Sequence, residues 1–499
     1  MGLRSTAIRL TASLIVPRIY NEQKKGVQLQ RETLHNLIQQ AEQTDFGKQH
    51  KFSTIATYGD FTRAVPIRDY EDIKTYIEQI AEGKHDVLWK GKPQYFCKSS
   101  GTTSGTKYIP LTKESIAEQI RAARNSLLCY VHESGSADFF TQKMIFLQGS
   151  PELDTHGVIP SGRLSGIVYH HVPRWLNKSR MPSYQTNCIE DWEEKVNAIA
   201  QETMQERMSL ISGIPPWVVM YFERLQAMSG KEFVKDIFPD FSVFVYGGVN
   251  YEPYKKRIEQ LIGKKIASIE TYPASEGFFA YQDTQKTNAL LLNLNAGIFY
   301  EFVKPEDLGK PEAQRIMLQD VELGVNYALV ISTNAGLWAY SVGDTVKFVS
   351  KEPYRIVVTG RVKHFTSAFG EHVIAEEVEY ALKEAIEKHG GAVTEFTVAP
   401  NVNPEGELSY HEWFVEFKQA PQNLSAFAEE ADKAMQQKNV YYYDLRAGNM
   451  LQCLKIRALE TGAFNNYMKS KGKFGGQNKV PRLSNDRSIA NELNRNIQQ

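Results

Sequence analysis

The chain has 499 residues, 42% hydrophobic and 23% charged, with 58 Lys plus Arg against 58 Asp plus Glu. That length supports about two to four domains with an ample core, and a formal net charge of zero leaves no basic excess arguing for nucleic acid as the main partner. Cys97, Cys129, Cys188 and Cys453 are far apart and form no C-x-x-C pair, which reads as reduced cytosolic thiols and not as a disulfide frame or zinc site.

Met1 to Thr6 fits the loose myristoylation pattern, which is common by chance. Residues 7–16 are mildly apolar, broken by Arg9 and followed by Arg18 with no good cleavage site, so an amphipathic packing helix is expected there. No window approaches a membrane span, and the expected location is the cytoplasm. Residues 31–42 carry Leu34, Leu37, Ile38 and Ala41 at helical spacing; Asp69 is placed to cap a helix bearing Ile73, Tyr76, Ile77 and Ile80. From Ser115 onward Ile116, Ile120, Ala123, Leu127 and Leu128 mark another helix. Residues 241–246 read as a buried strand ending at Gly247 and Gly248, followed by a helix with Ile258, Leu261 and Ile262 and a strand over 265–271. Strand, glycine turn, helix, strand is the order of a parallel α/β sheet, whose ligand site lies off the carboxyl ends of its strands. Strands over 326–334, 338–350 and 354–359 suggest a sheet or barrel finishing a large domain. From about residue 364 a helix over 375–389, strands over 393–398 and 413–417, a helix with Leu424, Phe427, Ala428, Ala431 and Met435, and a strand over 454–459 make a compact α+β unit. The basic cluster over 469–473 reads as a solvated helix end.

The most informative stretch is Ser99, Ser100, Gly101, Thr102, Thr103, Ser104, Gly105, Thr106 and Lys107. Many hydroxyls, a backbone free to turn its N–H groups inward and one cation suit phosphate oxygens. It is not a Walker loop: three residues separate the glycines where four are needed, and Tyr108 to Leu111 reads as a strand where a helix should start. Alone, it reads equally as a flexible surface loop. Three further segments combine with it: Tyr272, Pro273, Ala274, Ser275 and Glu276 after a strand; Tyr340, Ser341, Val342, Gly343 and Asp344; and a glycine-rich stretch with Lys479, Val480, Pro481 and Arg482. A nucleoside triphosphate accounts for all four. The loop meets phosphates, Glu276 supplies an oxygen to magnesium, Asp344 grips ribose hydroxyls, and Lys479 offsets charge as a phosphoanhydride is displaced. Singly, Glu276 and Asp344 read as strand-end caps or ion pairs, and Lys479 as a surface lysine. His170 and His171, read as neighbours on a strand, face opposite ways and are assigned a structural role.

On these four motifs the chain resembles the adenylate-forming enzymes that share the firefly luciferase fold with acyl-CoA and aryl-CoA ligases, most closely the plant auxin-responsive acyl-acid-amido synthetases and their bacterial relatives. The resemblance runs from about residue 30 to the end. It implies an α/β fold, with a large domain over 1–360 containing packed sheets and a barrel-like sheet, and a smaller, mobile α+β domain over 361–499. It implies ATP and Mg2+, a small carboxylic acid and an amino acid as reactants, and an acyl-adenylate intermediate. Residues 99–105 with Lys107 would bind phosphates, Gly247 and Gly248 would pack beside adenine, and Tyr272 and Ser275 would complete the ATP site with Asp344 and Arg361 on the ribose. Lys479 and Glu276 would be catalytic, and Lys363, following Gly360 and Arg361, would be the hinge. Segments expected to line the acyl and acceptor pockets match poorly, so substrate identity does not carry over, and oligomeric state is not legible. The alternatives are an acyl- or aryl-CoA ligase sharing the adenylation step, and a non-catalytic nucleotide-binding protein, which would be expected to have lost Lys479 or Asp344.

Overall fold

The computed structural model describes residues 3–99, 106–248, 251–310, 313–362, 365–371, 373–471 and 481–494. Two compact units are present, one formed by Met1–Ser99, Lys107–Glu190 and Lys195–Val362, the other chiefly by Lys363–Gln499.

The first unit is organised by a mixed sheet. Among the described residues its strand order is Ile298–Val303, Asn326–Thr333, Tyr340–Lys351, Tyr354–Arg361, Leu290–Leu292, Gly277–Tyr281, Ala267–Ala274, Val243–Gly247, Met208–Ser212, Lys143–Phe146 and Arg180–Met181. The strands from Arg180–Met181 through Ala267–Ala274 pair in parallel. From Ala267–Ala274 to Ile298–Val303 every pairing is antiparallel. The change follows from the connections. Parallel neighbours need a crossover, such as the helix Glu252–Ile262 between Val243–Gly247 and Ala267–Ala274. Ala267–Ala274, by contrast, turns back through Ser275 and Glu276 into an antiparallel partner. The strand run after residue 326 therefore extends the parallel sheet into an antiparallel half.

A four-stranded sheet in the same unit runs Lys107–Leu111, Tyr95–Ser99, Ile159–Gly162, Asp154–His156. The N-terminal helix Leu3–Lys24 buries Ala12, Val16 and Ile19, and Tyr20 and Arg355 converge on buried Asp283 with donor distances of 2.8, 2.9 and 2.7 Å. Helix Gly26–Ala41 buries Leu34, Leu37, Ile38 and Ala41 as the periodicity predicts. Helix Tyr70–Ala81 starts with the expected Asp69 cap, completed by Asp72 as a capping box. Helix Lys113–Ser134 forms where the spacing predicts and buries Ile116 and Leu128, with Ile120 and Leu127 packed against the core; of the residues read as marking it only Ala123 is exposed, and Gln119, Ala122 and Cys129 are buried as well. Its polar Gln119 is drawn inward because the side chain donates to the Ala274 carbonyl at 3.0 Å.

The second unit has a three-stranded sheet in which Tyr410–Gln419 is antiparallel to Ala392–Asn401 and parallel to Lys455–Leu459. Helices Ala375–His389 and Leu424–Lys438 bury the apolar faces read from the sequence, among them Val378, Ala381, Phe427 and Met435. Among the described residues, no helix is long and apolar enough to cross a membrane.

Candidate functional site: a hairpin and a strand switch

The hydroxyl-rich segment connects two adjacent antiparallel strands, Tyr95–Ser99 and Lys107–Leu111, in which Ser99 lies directly opposite Lys107. The connection thus leaves and re-enters the sheet at one point. Its residues Ser100, Gly101, Thr102, Thr103, Ser104 and Gly105 lie outside the described residues. Alternation along the strand puts Tyr95, Cys97 and Ser99 on one face, and their cross-strand partners Leu111, Ile109 and Lys107 share it. The Lys107 Nζ stands 5.9 Å from the centroid of the Tyr70 ring. The Tyr70 hydroxyl accepts from the Tyr108 backbone N–H at 2.9 Å, which ties the capped helix to the hairpin.

Facing this hairpin is the strand where the large sheet changes from parallel to antiparallel. Gly247 is in register with Thr271, and a Cβ there would lie 2.4 Å from the Thr271 carbonyl oxygen, so no larger residue fits. Gly248 has φ +82°, a left-handed conformation that favours glycine. Tyr272, Pro273 and Ala274 belong to the strand itself, where the sequence places them beyond its end; Ser275 and Glu276 form the turn. The Cys97 thiol donates to the Ser275 hydroxyl at 3.2 Å.

Asp344 and Arg361 are cross-strand partners in the antiparallel half. Arg361 Nε donates to Asp344 Oδ1 and the Tyr272 hydroxyl donates to Asp344 Oδ2, both at 2.6 Å. Gly343, with φ +88°, and Gly360, with φ +147°, flank this pair within their strands in backbone conformations that favour glycine. The electrostatics follow from burial and proximity. Burial, reinforced by the Asp344 charge and hydrogen bond, pushes the Tyr272 hydroxyl pKa well up, so it stays a donor. Burial opposes the Arg361 charge, but Asp344 outweighs it and the guanidinium pKa is raised. Glu276 is partly buried; burial raises its pKa and Lys107 opposes that rise, while Asp344 adds to it. Tyr340, buried, is pushed well up by burial and then by Glu276. One electrostatic neighbourhood therefore contains Lys107, Tyr272, Glu276, Tyr340, Asp344 and Arg361.

Lys363 and Lys479 lie outside the described residues. The residues after Lys479 are anchored in the second unit: the Val398 N–H donates to the Arg482 carbonyl at 2.9 Å, and the Thr397 hydroxyl donates to the Pro481 carbonyl at 2.6 Å. His170 and His171 follow the short helix Leu164–Tyr169 and are not on a strand, a correction to the reading that set them on opposite strand faces. Each is held locally, His170 Nε2 by the Pro151 carbonyl at 2.7 Å and His171 Nε2 by the Tyr95 hydroxyl at 3.2 Å. The sequence reading missed Cys97 and Tyr70. Tyr70 had a signal, as the first residue after a recognisable cap; Cys97 had none, because its partner is far away in sequence.

The fold as a whole is shared with solved structures. AtGH3.15 acyl acid amido synthetase in complex with 2,4-DB aligns with a TM-score of 0.63 at 16% identity, covering 98% of this chain and 96% of that one. 2-Hydroxyisobutyryl-CoA ligase in complex with 2-HIB-AMP and CoA aligns with a TM-score of 0.58 at 14% identity, covering 96% and 92%. Three domain matches complete the assignment: the GH3 family N-terminal domain over residues 16–188 and 162–266, the central domain over 291–361 and the C-terminal domain over 376–488. The chain belongs to the GH3 family. Among its curated relatives is jasmonoyl–L-amino acid synthetase JAR4 of Nicotiana attenuata, 22% identical over 395 residues that span 65% of this chain and 67% of the relative.

Proposed function

We propose that this GH3 protein is an ATP-dependent ligase that activates a small carboxylic acid as its acyl-adenylate and transfers the acyl group to an amine, with an amino acid as the expected acceptor. The observation that carries the reading is Asp344, fixed by Tyr272 and Arg361 at 2.6 Å each and electrostatically coupled to Glu276, which is itself opposed by Lys107. Family membership and the relatives' activities support the same reading.

In the first step a substrate carboxylate oxygen attacks the α-phosphorus of ATP, and the bond to the β-phosphate oxygen breaks to release pyrophosphate. Ser99, Lys107 and the hydroxyl-rich connection hold the phosphates; Gly247 and Gly248 give adenine a close approach to the backbone. Asp344, Arg361 and Tyr272 take the ribose. Glu276 suits Mg2+ as one protein carboxylate completed by phosphate and water oxygens, and no cluster of three potential ligands occurs among the described residues. When bound, the ion supplies charge neutralisation on the phosphates. Lys479 offsets the charge growing between the carboxylate and the α-phosphate. In the second step the domain over 361–499 turns about Lys363 and withdraws Lys479. The amine then attacks the acyl carbonyl, loses a proton and displaces AMP. The cytoplasm is the proposed location.

The test is ATP–pyrophosphate exchange over a panel of carboxylic acids, repeated with amino acids and with CoA. Exchange with one acid, then AMP release and amide formation on adding an amino acid, is the expected result. AMP release that requires CoA would reassign the protein as a CoA ligase, a reading favoured by the shared fold with 2-hydroxyisobutyryl-CoA ligase. Absence of exchange with every acid would overturn adenylation.

A further inference from the structure

Cys97 occupies an unusual crossroads. It lies on the strand Tyr95–Ser99, two residues before the hydroxyl-rich connection and on the same face as Ser99. It is fully buried. Its sulfur accepts from the backbone N–H of Leu164 and sits against Ser275, with the Glu276 charge close by. Burial, the largest influence, pushes the thiol pKa up to about 12, so at neutral pH it carries its proton and is a donor.

The Ser275 hydroxyl has one proton to give and two lone pairs. With one lone pair occupied by the Cys97 S–H at 3.2 Å, its proton is directed elsewhere, and Ser275 is half-exposed on the turn beside Glu276. We infer that Cys97 is a positioning residue: it holds the Ser275 hydroxyl as a hydrogen-bond donor aimed at an anionic oxygen of the bound reactants, and locks the phosphate-side hairpin to the Ser275–Glu276 turn. The inference rests on the adenylation reading, in which that anionic oxygen belongs either to a nucleotide phosphate or to the substrate carboxylate. Cys97 touches no reactant itself.

The test is a cycle of four full-length proteins: wild type, Cys97→Ala, Ser275→Ala and the double variant, with Cys97→Ser as the conservative control. In ATP–pyrophosphate exchange, Cys97→Ala is expected to lower kcat/KM about five- to tenfold, the scale of one lost hydrogen bond. Cys97→Ser, which keeps a donor, is expected to recover to within about threefold of wild type, and Cys97→Ala is expected to cost nothing further once Ser275 is Ala. A rise in the KM for ATP assigns the oxygen to phosphate; a rise in the KM for the acid assigns it to the carboxylate. Equal activity of Cys97→Ala and wild type, or an undiminished loss in the Ser275→Ala background, overturns the proposal, the latter marking a packing role. Thermal unfolding of each variant checks the fold. Should wild type show no exchange, the function reading fails, and calorimetric affinity for Mg-ATP across the same proteins decides Cys97 separately: unchanged affinity across the variants overturns it, and no binding by wild type overturns both.

Discussion

Each unit contains an aspartate gripped by a tyrosine hydroxyl and an arginine, and the two sites diverge in what else surrounds the carboxylate. In the second unit Asp432 accepts from Tyr442 at 2.6 Å, from Arg446 Nε at 2.9 Å, from the Leu454 backbone N–H at 3.1 Å and from Gln436 at 2.7 Å. Its side chain is 3% exposed. In the first unit Asp344 accepts from Tyr272 and Arg361, and its side chain is 14% exposed with Arg361 at 29%. The chemistry is the same, and burial pushes both tyrosines well up. The difference is the backbone tie: Asp432 fastens a helix pair to the start of a strand, whereas Asp344 joins its paired strand Tyr354–Arg361 and, through Tyr272, the more distant strand Ala267–Ala274, and retains a face toward solvent. Asp432, almost wholly buried and held by four donor groups, serves the fold; Asp344, held by two but still reachable, is the one the proposed function assigns to a ligand.

The comparison breaks most sharply at Asp432. Asp432→Ala leaves the buried Tyr442 hydroxyl and the Arg446 Nε without their acceptor, and is expected to cost about 3–5 kcal/mol, read as a lower denaturant midpoint for the second unit. A loss below about 1 kcal/mol would refute its structural role. Lys479→Ala comes next. It should reduce adenylation roughly a hundredfold or more while sparing ATP binding, and near-normal exchange would remove the lysine from the mechanism. Asp344→Asn inverts the Asp432 pattern: the KM for ATP rises about tenfold while unfolding moves by about 1 kcal/mol or less, the range of a partly exposed pair. Equal stability losses at both aspartates would dissolve the distinction. Tyr272→Phe removes one donor and keeps the ring, so a rise of about fivefold in the KM for ATP is expected. An unchanged KM would show that Arg361 suffices to fix Asp344.

These contrasts also mark where sequence reading succeeds. Amphipathic helices were legible because burial and periodicity agree, as in Ala375–His389 and Gly26–Ala41. Helix Lys113–Ser134 was legible from Ile116, Ile120, Leu127 and Leu128, but its buried Gln119 was not, because that side chain donates to the Ala274 carbonyl, a partner 155 residues away. Asp344 and Arg361 were named from motifs of the resembling family, and the hairpin that brings them together separates them by only 17 residues. The Tyr272 bond to Asp344 spans 72 residues and the Cys97 bond to Ser275 spans 178; no local pattern encodes either. The buried pair of His411 and Glu371 in the second unit, 2.8 Å apart, was invisible for the same reason. Local propensity writes the elements, and the sheet order decides which polar side chains meet.

The smallest effect sharpens the comparison from the side of protons. Glu276 has a folded pKa above 4.5, its ordinary value, because burial disfavours the anion more than Lys107 favours it. Between the ordinary and the raised value the folded chain therefore binds more protons than the unfolded chain. Its contribution to stability is fully present below the ordinary carboxylate range and is lost as pH rises through the raised pKa. If the proposed function is right, a dication bound at Glu276 would compete with that proton, and Mg-ATP affinity would have the opposite dependence and strengthen over the same interval. Wild-type Tm measured against pH should fall through this window without ligand more steeply than in Glu276→Gln, and Mg-ATP should flatten or reverse the slope in wild type alone. A slope identical in both proteins would mean that the Glu276 proton is not linked to folding. It would also remove the proton as a means of telling Glu276 from its Gln variant, leaving the Mg-ATP response to distinguish them.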